Sequence, residues 1–537
     1  MLQEIRSFAV VGAGNMGSGI AQKIATEGFP ATLVDLDDEK VAQGLDSVRQ
    51  TLEQGVARRI FRPEQVDPIL GRIRGTADWS ALKTADLVIE AVFEDLAVKR
   101  KVFQRLGEVC RPETLLATNT SSFFVKDLAA ATENPGRVLG LHYFYHPAKN
   151  RLVEVVPHGG TRREAVQAAW AAQEALGKIP IHSADAPGFV VNRFFVPWLN
   201  EAVRILEEGL ADVPTIEEAA RTAFRIGMGP FELMNVTGVP IALHAAETLG
   251  RALHPFYAPA ERLRSQVASG RNWDLSGKAD PSRFESVADR LLGVTFFIAA
   301  SLVEEKVASV EDTDLGARVG LRWPKGPFEL MNRVGIPRAR ALAEAAVLEH
   351  GLTLPGLLAQ ADEETGIPVR LVVLGQQNGL SRISIQRPDA LNALNEAVVL
   401  QLEEAFRQAR AEEQPGLVLA ASGKAFIAGA DIKFFVDNLK AGSFARIHAF
   451  TAQGQKLLRT LSGGPQPVVA RVQGLALGGG AEVALACDWI AASPKASFGF
   501  PRPDWGSTPA WAGRPASPAG WDSPWRSSWS TPVRSST

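Results

Sequence analysis

The chain has 537 residues, with 57 Lys and Arg against 59 Asp and Glu, so its formal net charge is −2. A near-neutral balance gives no concentrated basic face, which disfavours nucleic acid as a partner. Hydrophobic residues make up 46% of the chain and charged residues 22%, an ordinary globular usage that argues against disorder of the whole. The length exceeds that of one hydrophobic core and predicts roughly three or four domains.

Cysteines and targeting signals indicate the compartment. Cys110 and Cys487 are the two cysteines of the sequence, too few for a disulfide framework and too far apart for a metal cluster, so we expect two buried thiols in a reducing compartment. The N-terminal segment lacks the pattern of a secretory signal. No uninterrupted apolar run is long enough to cross a bilayer. We therefore predict a cytoplasmic protein with neither membrane insertion nor a metal site.

The first predicted element is an apolar run that leads into a glycine loop, "FAVVGAGNMGSGIAQ". Such a run is typical of a strand buried in a parallel sheet. Gly12 permits a tight turn, Gly14 lets the backbone approach a pyrophosphate, and Gly17 lets the following helix pack against the strand. The alternative is a tight strand-to-helix turn that binds nothing.

The next strand-like run, "ATLVDL", supplies the acid that a dinucleotide site needs. It ends in Asp35, about twenty residues beyond the loop, where a carboxylate hydrogen-bonds the ribose hydroxyls. The same carboxylate would repel a 2′-phosphate, so we predict NAD rather than NADP. Two further runs, "ADLVIEAVFE" and "ETLLATNTSS", continue the alternation of a doubly wound α/β sheet.

Four polar residues then fall at predicted strand ends and at a helix start. Oxidation of an alcohol with NAD needs a base for the hydroxyl proton, a group that orients this base, and donors for the carbonyl oxygen. Ser121 lies at a strand end, His142 follows an apolar strand, Glu154 lies in the next strand, and Asn192 begins a helix. Taken singly, each has a structural alternative such as a helix cap or a turn.

These motifs occur in a recognisable order. The series GxGxxG, "NTSS", "LHYF", "LVEVV", "PGFVVNR" and "MGPFELMN" closely resembles the L-3-hydroxyacyl-CoA dehydrogenase family, across roughly residues 5–345. The resemblance implies NAD-dependent oxidation of L-3-hydroxyacyl-CoA to 3-ketoacyl-CoA, a step of fatty-acid β-oxidation. It implies that His142 is the general base, that Glu154 orients it, and that Ser121 and Asn192 bind the reacting oxygen.

The resemblance also concerns the cofactor. Glu94 and Lys99 match positions that contact NAD in the family. The sequence departs from the family at Tyr145, where an Asn is frequent, so a contact with cofactor or substrate at that position is in doubt.

A repeat marks the helical part of the dehydrogenase. "GPFELMNVTGV" at Gly229 recurs as "GPFELMNRVGI" at Gly326. Two copies predict an intramolecular pseudo-dimer, because shorter members of the family pair such helical domains between subunits. Packing alone would account for Phe231 and Phe328, whose rings we expect in the core.

A second resemblance begins after the linker-like "GLLAQADEETGIP". The stretches "GKAFIAGADIKFF" and "VQGLALGGGAEVALACD" resemble the crotonase family, which includes enoyl-CoA hydratases. A thioester enolate needs two backbone N–H donors at its oxygen, and the resemblance implies Ala428 and Gly479 for these, with Glu482 as one of two catalytic glutamates. The second glutamate position reads Arg502, in "FGFPR". A cation cannot act as the base, so we predict an inactive hydratase half.

The C-terminal tail is dense in Trp, Pro, Ser and Arg and lacks hydrophobic periodicity. Restoring one G after the Pro501 codon allows a frame that reads PETGLGIYPGLGGT, one open position, then RLPRRVGL, which is crotonase-like. We hypothesise that a single-base loss, in the gene or in its sequencing, replaced the rest of the hydratase. An unfinished core with open edges, and collapse or disorder beyond about residue 500, would follow.

The expected architecture is an α/β Rossmann-type domain, two repeated all-α domains, an incomplete α/β crotonase-like domain and an aberrant tail. The predicted boundaries in chain order are 1–185, 186–265, 280–350, 368–501 and 502–537. Two alternatives to a lone dehydrogenase stay open: a bifunctional dehydrogenase and hydratase, and a non-catalytic scaffold that binds NAD and acyl-CoA. Thiolase association, acyl-chain length and oligomeric state are not readable from the residues.

Overall fold

The computed structural model describes residues 4–377, 379–412 and 414–500. The chain divides into two compact units, Met1–Arg370 and Leu371–Thr537. Arg502 and the tail of the sequence analysis lie outside the described residues, so the frame hypothesis and the expected collapse stay predictions.

The first unit opens with an eight-stranded sheet in the order β3-β2-β1-β4-β5-β6-β7-β8. All neighbours are parallel except β6 and β7. The order reverses between β1 and β4, and ligands bind at such a switch point in open α/β sheets. The strands are β1 Phe8–Val11, β2 Ala31–Val34, β3 Ile73–Thr76, β4 Leu87–Glu90, β5 Leu115–Thr118, β6 Val138–Tyr143, β7 Leu152–Pro157 and β8 Ile179–His182.

Helices cover both faces of this sheet, because its central strands are apolar on both sides. The residues of β1, β4 and β5 are all buried, as expected of strands packed from both faces. The doubly wound fold class is thereby confirmed. The helices are α1 Asn15–Thr26, α2 Asp38–Ala57, α3 Val66–Leu70, α4 Leu96–Val109, α5 Val125–Ala129 and α6 Arg163–Ala175.

An all-helical part completes the first unit, also as expected. Its core contains Phe231 and Phe328, both fully buried, which confirms the prediction for these rings. The helices are α7 Val191–Glu207, α8 Val213–Phe224, α9 Pro230–Thr237, α10 Val239–Ala252, α11 Glu261–Ala268, α12 Phe284–Glu304, α13 Val310–Gly320, α14 Pro327–Val334, α15 Ile336–Val347 and α16 Gly356–Ala359.

The two copies of the sequence repeat form equivalent hydrogen bonds. The Glu217 carboxylate accepts the N–H groups of Phe231 and Glu232 at the start of α9. Asp314 accepts the equivalent N–H groups of Phe328 and Glu329 at the start of α14. A carboxylate from the preceding helix therefore caps the "GPFELMN" helix in both copies.

The asparagine of each motif binds the backbone of a non-helical segment further along the chain. The Asn235 amide forms two bonds with the backbone of Trp273, and the Asn332 amide forms the same two bonds with Ile367. The linker interpretation of "GLLAQADEETGIP" is therefore wrong. Ile367 is buried in the helical core, because the amide of Asn332 satisfies the backbone groups that this burial removes from water.

One stretch passes a composition test for membrane spans within the described part of the chain. Pro281–Glu304, which contains α12, is long and apolar enough to cross a bilayer, but 72% of its most apolar window is buried inside the protein. The helix packs against α7, α8 and α15, as the central helix of a protein core does.

The second unit contains a five-stranded sheet, β15-β13-β11-β10-β9, and a three-stranded sheet, β12-β14-β16. All pairs are parallel except β9 with β10. The elements are β9 Val372–Gln377, β10 Leu380–Ile385, α17 Glu396–Ala411, β11 Leu417–Ala421, β12 Ala425–Ile427, α18 Ile432–Lys440, α19 Phe444–Ser462, β13 Val468–Val472, β14 Leu475–Leu477, α20 Gly479–Ala486, β15 Trp489–Ala492 and β16 Ser497–Gly499.

This unit buries a core of its own and has an exposed strand at its edge. Leu419 and Phe406 are fully buried, whereas Trp489 at the start of β15 is 70% exposed. Cys487 here and Cys110 in the first unit are buried and unpaired by disulfide, which confirms the prediction of two buried thiols. Burial raises the thiol pKa to about 12 for Cys487 and to about 11 for Cys110.

Candidate active site

The candidate catalytic pair lies on two neighbouring strands of the first sheet. His142 in β6 and Glu154 in β7 are direct partners in the antiparallel register, so His142 lies within its strand and not after it. Its Nδ1 lies 2.5 Å from Glu154 Oε2. Because a carboxylate only accepts, Nδ1 donates and Nε2 keeps its lone pair. The imidazole can therefore take a proton at Nε2 while the carboxylate stabilises the resulting charge.

The opposite oxygen of Glu154 is also held. Oε1 accepts the N–H groups of Val190, at 3.1 Å, and Val191, at 2.8 Å. Glu154 is fully buried, and a buried carboxylate needs such bonds to stay in place. The same bonds fasten the start of α7 to the strand that carries the pair.

Two aromatic rings enclose the imidazole. The ring centroids of Phe144 and Phe189 lie 4.6 Å and 5.6 Å from that of His142, and His142 is 5% exposed. Phe189 has a φ of +48° and follows Gly188 at +74°. A left-handed Phe is strained, so the corner before α7 holds its shape only because the surrounding contacts fix it.

Ser121 lies in the loop after β5, and this loop is tied to the pair. Asn119 Oδ1 accepts the N–H of Tyr143, the residue after His142, at 2.8 Å. Glu94 Oε1 accepts the N–H groups of Ser121 and Ser122, at 3.0 Å and 3.1 Å. The Ser121 hydroxyl contacts only that of Ser122 among the described side chains, at 3.3 Å, so it is available to a ligand.

Asn192 is the second residue of α7 and is half-buried. It directly follows Val191, whose N–H is bound by Glu154. Among the residues that the structure describes, its side-chain amide has no hydrogen-bond partner. The loop of Ser121 and the start of α7 therefore both converge on the His142 pair.

Lys99 requires a correction to its expected role. It is 1% exposed, and its ammonium binds Glu90 Oε1 at 2.7 Å and Glu94 Oε2 at 3.1 Å. A cation enclosed in this way is not free to contact a cofactor, and it acts on the site through Glu94. Although burial opposes it, Lys99 and the hydrogen bonds from Thr120 and Ser121 hold the pKa of Glu94 below its usual value. Sequence reasoning missed Glu90, because nothing in its strand marks it as paired.

The glycine loop has the shape that a dinucleotide needs. Gly12 has a φ of +107°, which favours glycine. A Cβ on Gly17 would lie 1.8 Å from the Gly12 carbonyl oxygen, so α1 packs against the turn. A Cβ on Gly14 would meet no heavy atom within 4 Å, and no side chain caps the start of α1. The open space and the uncapped N–H groups fit a pyrophosphate.

Asp35 lies beside this loop at the end of β2. Its Oδ2 accepts the N–H of Ala13 at 2.6 Å, and its Oδ1 accepts the N–H of Leu36 at 2.7 Å. The carboxylate is half-buried, with lone pairs left for ribose hydroxyls. The residues of the loop and of β2 together fit NAD.

A polar cavity of about 260 Å³ lies between α1, α2 and the segment after β6. Sequence reasoning did not find it, because its walls come from three distant stretches without a motif. Tyr145, in doubt from the sequence, lines it and is 67% exposed. The lining residues share hydroxyl, amide or basic side chains in most cases; they are Asn15, Ser18, Gly19, Gln22, Ser47, Val48, Gln50, Thr51, Gln54, Tyr145, His146 and Lys149.

In the second unit, the expected donor Ala428 is wrong. Its N–H donates to the Leu391 carbonyl at 3.1 Å and is therefore already used. Leu394 and Ala430 form a β-bridge. In it, the N–H of Leu394 donates to the Gly429 carbonyl and the N–H of Asp431 donates to the Leu394 carbonyl. The N–H of Ala430 is therefore directed away from Leu394. Ala430 is the better candidate for this donor.

The other two residues of the second unit lie where the sequence predicts. Gly479 begins α20, and Glu482 is buried one turn later. A Cβ on Gly480 would lie 2.0 Å from the Ile427 carbonyl oxygen, so the glycine loop and the end of β12 are in close contact. Among the described residues, no group of three or more His, Cys, Asp or Glu is placed to hold a metal ion.

Comparison with known families agrees with this geometry. The profile of the 3-hydroxyacyl-CoA dehydrogenase NAD-binding domain matches residues 7–186, and that of the corresponding C-terminal domain matches residues 188–279 and 287–362. The profile of the enoyl-CoA hydratase/isomerase family matches residues 375–518.

Two solved structures are similar to this chain. 3-Hydroxybutyryl-CoA dehydrogenase from Escherichia coli K12 is 26% identical, with a TM-score of 0.62, over 67% of this chain and 98% of that one. FadB2 from M. tuberculosis is 35% identical, with a TM-score of 0.50, over 52% of this chain and 98% of that one.

The fold, the glycine loop and the enclosed histidine define an NAD-dependent oxidoreductase of the Rossmann type. The chain belongs to the 3-hydroxyacyl-CoA dehydrogenase family, and a crotonase-like domain follows in the same polypeptide. NAD as the cofactor and the dehydrogenase activity expected from the sequence are thereby confirmed.

Proposed function

We propose that the first unit oxidises L-3-hydroxyacyl-CoA to 3-ketoacyl-CoA with His142 as the general base. The observation that carries this assignment is the buried pair of His142 and Glu154, with a separation of 2.5 Å between Nδ1 and Oε2. The base must lie within hydrogen-bond reach of the proton that it removes, and Nε2 is the nitrogen free to do so.

In the reaction, Nε2 of His142 takes the proton of the substrate hydroxyl. Glu154 holds the imidazole in the required tautomer and stabilises the imidazolium, as the acid of a hydrolase triad does. A bound NAD, held by the glycine loop and Asp35, would supply the acceptor for the hydride of the carbinol carbon. Phe144 and Phe189 keep water from the imidazole, which strengthens the electrostatic interaction within the pair.

Ser121 and Asn192 are proposed to bind the reacting oxygen. The hydroxyl of Ser121 and the amide of Asn192 can both donate, and both residues lie in segments bonded to the strands of the pair. Fixed donors at an oxygen that becomes a carbonyl stabilise the charge that develops on it. Gly12, Gly14, Gly17 and Asp35 hold the cofactor, while Glu94 shapes the loop of Ser121.

The polar cavity beside α1 is consistent with a substrate that is a thioester of coenzyme A. Its hydroxyl, amide and ammonium groups suit the amides and phosphates of a coenzyme A. The E. coli protein named above is a 3-hydroxybutyryl-CoA dehydrogenase, so 3-hydroxybutyryl-CoA is the first substrate to try. NADH formation with this thioester and with longer homologues tests the proposal; a chain that binds NAD and turns over none of them would be the scaffold instead.

For the second unit, we propose that hydration of enoyl-CoA is absent. Hydration needs two carboxylates, and the sequence has Arg502 where the second is expected. The test is the loss of enoyl-CoA absorbance on incubation with the full chain. Turnover that Glu482→Gln abolishes would make the protein bifunctional instead.

The cellular location of the enzyme and its protein partner are also proposals. Two buried thiols without a disulfide support a cytoplasmic location, which fractionation of the producing cells would test. We propose a thiolase, the class of enzyme that cleaves 3-ketoacyl-CoA, as a partner to test, and co-purification from the same cells tests that association.

A further inference from the structure

The two helical copies meet through ion pairs that are reciprocal. Arg193 in α7 binds Glu305 at the end of α12. Arg290 in α12 binds Glu208 at the end of α7, with Nη1 2.8 Å from Oε2. Arg193 and Arg290 occupy equivalent positions of the repeat, and so do Glu208 and Glu305. Reciprocal contacts of this kind are those of a two-fold interface, formed here within one chain.

The two pairs differ in what lies beside them. Arg193 follows Asn192, whereas Arg290 follows Asp289, an acid bound at 2.8 Å by Arg338. Arg193 is 2% exposed and Arg290 34% exposed. One pair therefore borders the proposed substrate site, while its counterpart lies at a more exposed position of the same interface.

The corner before α7, residues 184–190, forms a second contact with the second copy, close to Glu305. The N–H of Ala184 donates to the Val307 carbonyl at 2.7 Å. Glu154 holds this corner from the sheet through Val190 and Val191. The left-handed Phe189 lies between these points, and such a conformation persists only where surrounding contacts over-determine it.

We infer that Glu305 of the second helical copy is a positioning residue for the dehydrogenase, because it fixes Arg193 and thereby the adjacent Asn192. This inference rests on the proposed function of Asn192. The second copy then has the role that a partner subunit would have, because its Glu305 holds Arg193 and the start of α7 in position.

The experiment compares Glu305→Ala with Glu208→Ala in the full chain. Each variant removes one carboxylate from equivalent positions of the same interface. Arg290 keeps a second carboxylate in Glu208→Ala, because its Nε also lies 2.6 Å from Glu201 Oε1, whereas the equivalent residue of the second copy is Ile298. A displacement of a positioning group by about 1 Å costs on the order of 100-fold in rate, so we expect Glu305→Ala to lower kcat by about 10- to 100-fold. The KM for NAD should not change, since the glycine loop is untouched, and Glu208→Ala should keep kcat within about twofold.

Glu305→Gln keeps the size of the side chain and an acceptor for Arg193, so an intermediate kcat is expected even if Glu305→Ala folds poorly. Equal losses of kcat in Glu305→Ala and Glu208→Ala, or no loss in Glu305→Ala, would overturn the inference.

Amide hydrogen exchange separates this inference from the proposed function, because it needs no substrate. Exchange in residues 189–193 should rise in Glu305→Ala and stay unchanged in Glu208→Ala. If the wild type oxidised no thioester, the proposed function would fail. The difference in amide exchange between the two variants would still show whether Glu305 holds residues 189–193 in place. Exchange that is equal in both variants would show that Glu305 does not hold the corner.

Discussion

His142 and Glu154 face each other directly across β6 and β7, and Nδ1 of the imidazole lies 2.5 Å from Oε2 of the carboxylate. The other carboxylate oxygen binds the first turn of α7. One buried acid therefore fixes both the base and the helix that carries Asn192.

Replacing this acid by its amide should disturb the tautomer and not the fold. In Glu154→Gln, the amide oxygen can still accept from Val190 and Val191, while the NH₂ group donates to Nδ1. Nε2 would then carry the proton and could not act as a base. We expect kcat to fall by about 10²- to 10⁴-fold with an unchanged NAD dissociation constant. Retention of full activity would mean that Glu154 does not orient the base.

Asp35 should determine the choice of cofactor. Asp35→Ala removes acceptors for the ribose hydroxyls, and a hydrogen bond to a charged group contributes about 1.5–3 kcal/mol. The KM for NAD should rise by about 10- to 100-fold, and the preference over NADP should shrink. Steady-state kinetics with both cofactors checks this, with the exposed Asp46→Ala in α2 as the control. Unchanged NAD kinetics in Asp35→Ala would exclude the ribose contact.

Lys99 should matter for stability through its two carboxylates. Lys99→Met leaves Glu90 and Glu94 without their shared cation in a buried site, and breaking such a pair costs about 3–5 kcal/mol. Urea unfolding should show the loss. Lys101→Met changes an exposed residue of the same helix and should cost less than about 0.5 kcal/mol. Equal stability of the two variants would contradict the enclosed cation.

Asp314 should give the helical part a pH-dependent stability. Burial, with a further contribution from Glu329, raises its pKa to about 7, whereas an unfolded Asp titrates near about 3.9. Between these values the unfolded state loses the proton first, so the free energy of unfolding should fall as the pH rises from about 4 to about 7, by roughly 2–4 kcal/mol.

Asp314→Asn should make this decrease smaller, because the amide does not ionise. Asp312, whose pKa burial raises to about 6, still contributes to the remaining decrease, and Asp46→Asn should retain the full decrease. Trp198 and Trp323 lie in the same core, so their fluorescence reports the unfolding of the helical part. A decrease of the same size in Asp314→Asn would assign it to other groups.

Much of the NAD-binding fold follows from local pattern. The apolar runs of β1, β4 and β5 are buried on both faces, and such runs are readable from the residues alone. The glycine loop and Asp35 were also predictable, because the turn, the close packing of Gly17 on Gly12 and the acid at a strand end each require a particular residue type.

Contacts between residues that are distant in sequence were harder to predict. The register that sets His142 opposite Glu154 depends on the antiparallel strand β7, which no local motif specifies. The sequence predicts Lys99 as a contact of the cofactor, because only the tertiary structure brings Glu90 beside its ammonium. Ala428 was a plausible donor by sequence position, but its N–H is used by Leu391. Ile367 looked like a linker residue because its partner, Asn332, lies 35 residues earlier in the chain, in α14.

The most direct test of His142 as the general base is NADH formation from 3-hydroxybutyryl-CoA by the wild type, His142→Gln and His244→Gln. His244 is an exposed histidine of α10 and serves as the matched control. We expect turnover in the wild type and in His244→Gln, and a loss of about 10²- to 10⁴-fold in His142→Gln with NAD binding intact. Wild-type activity in His142→Gln would contradict the assignment of the base.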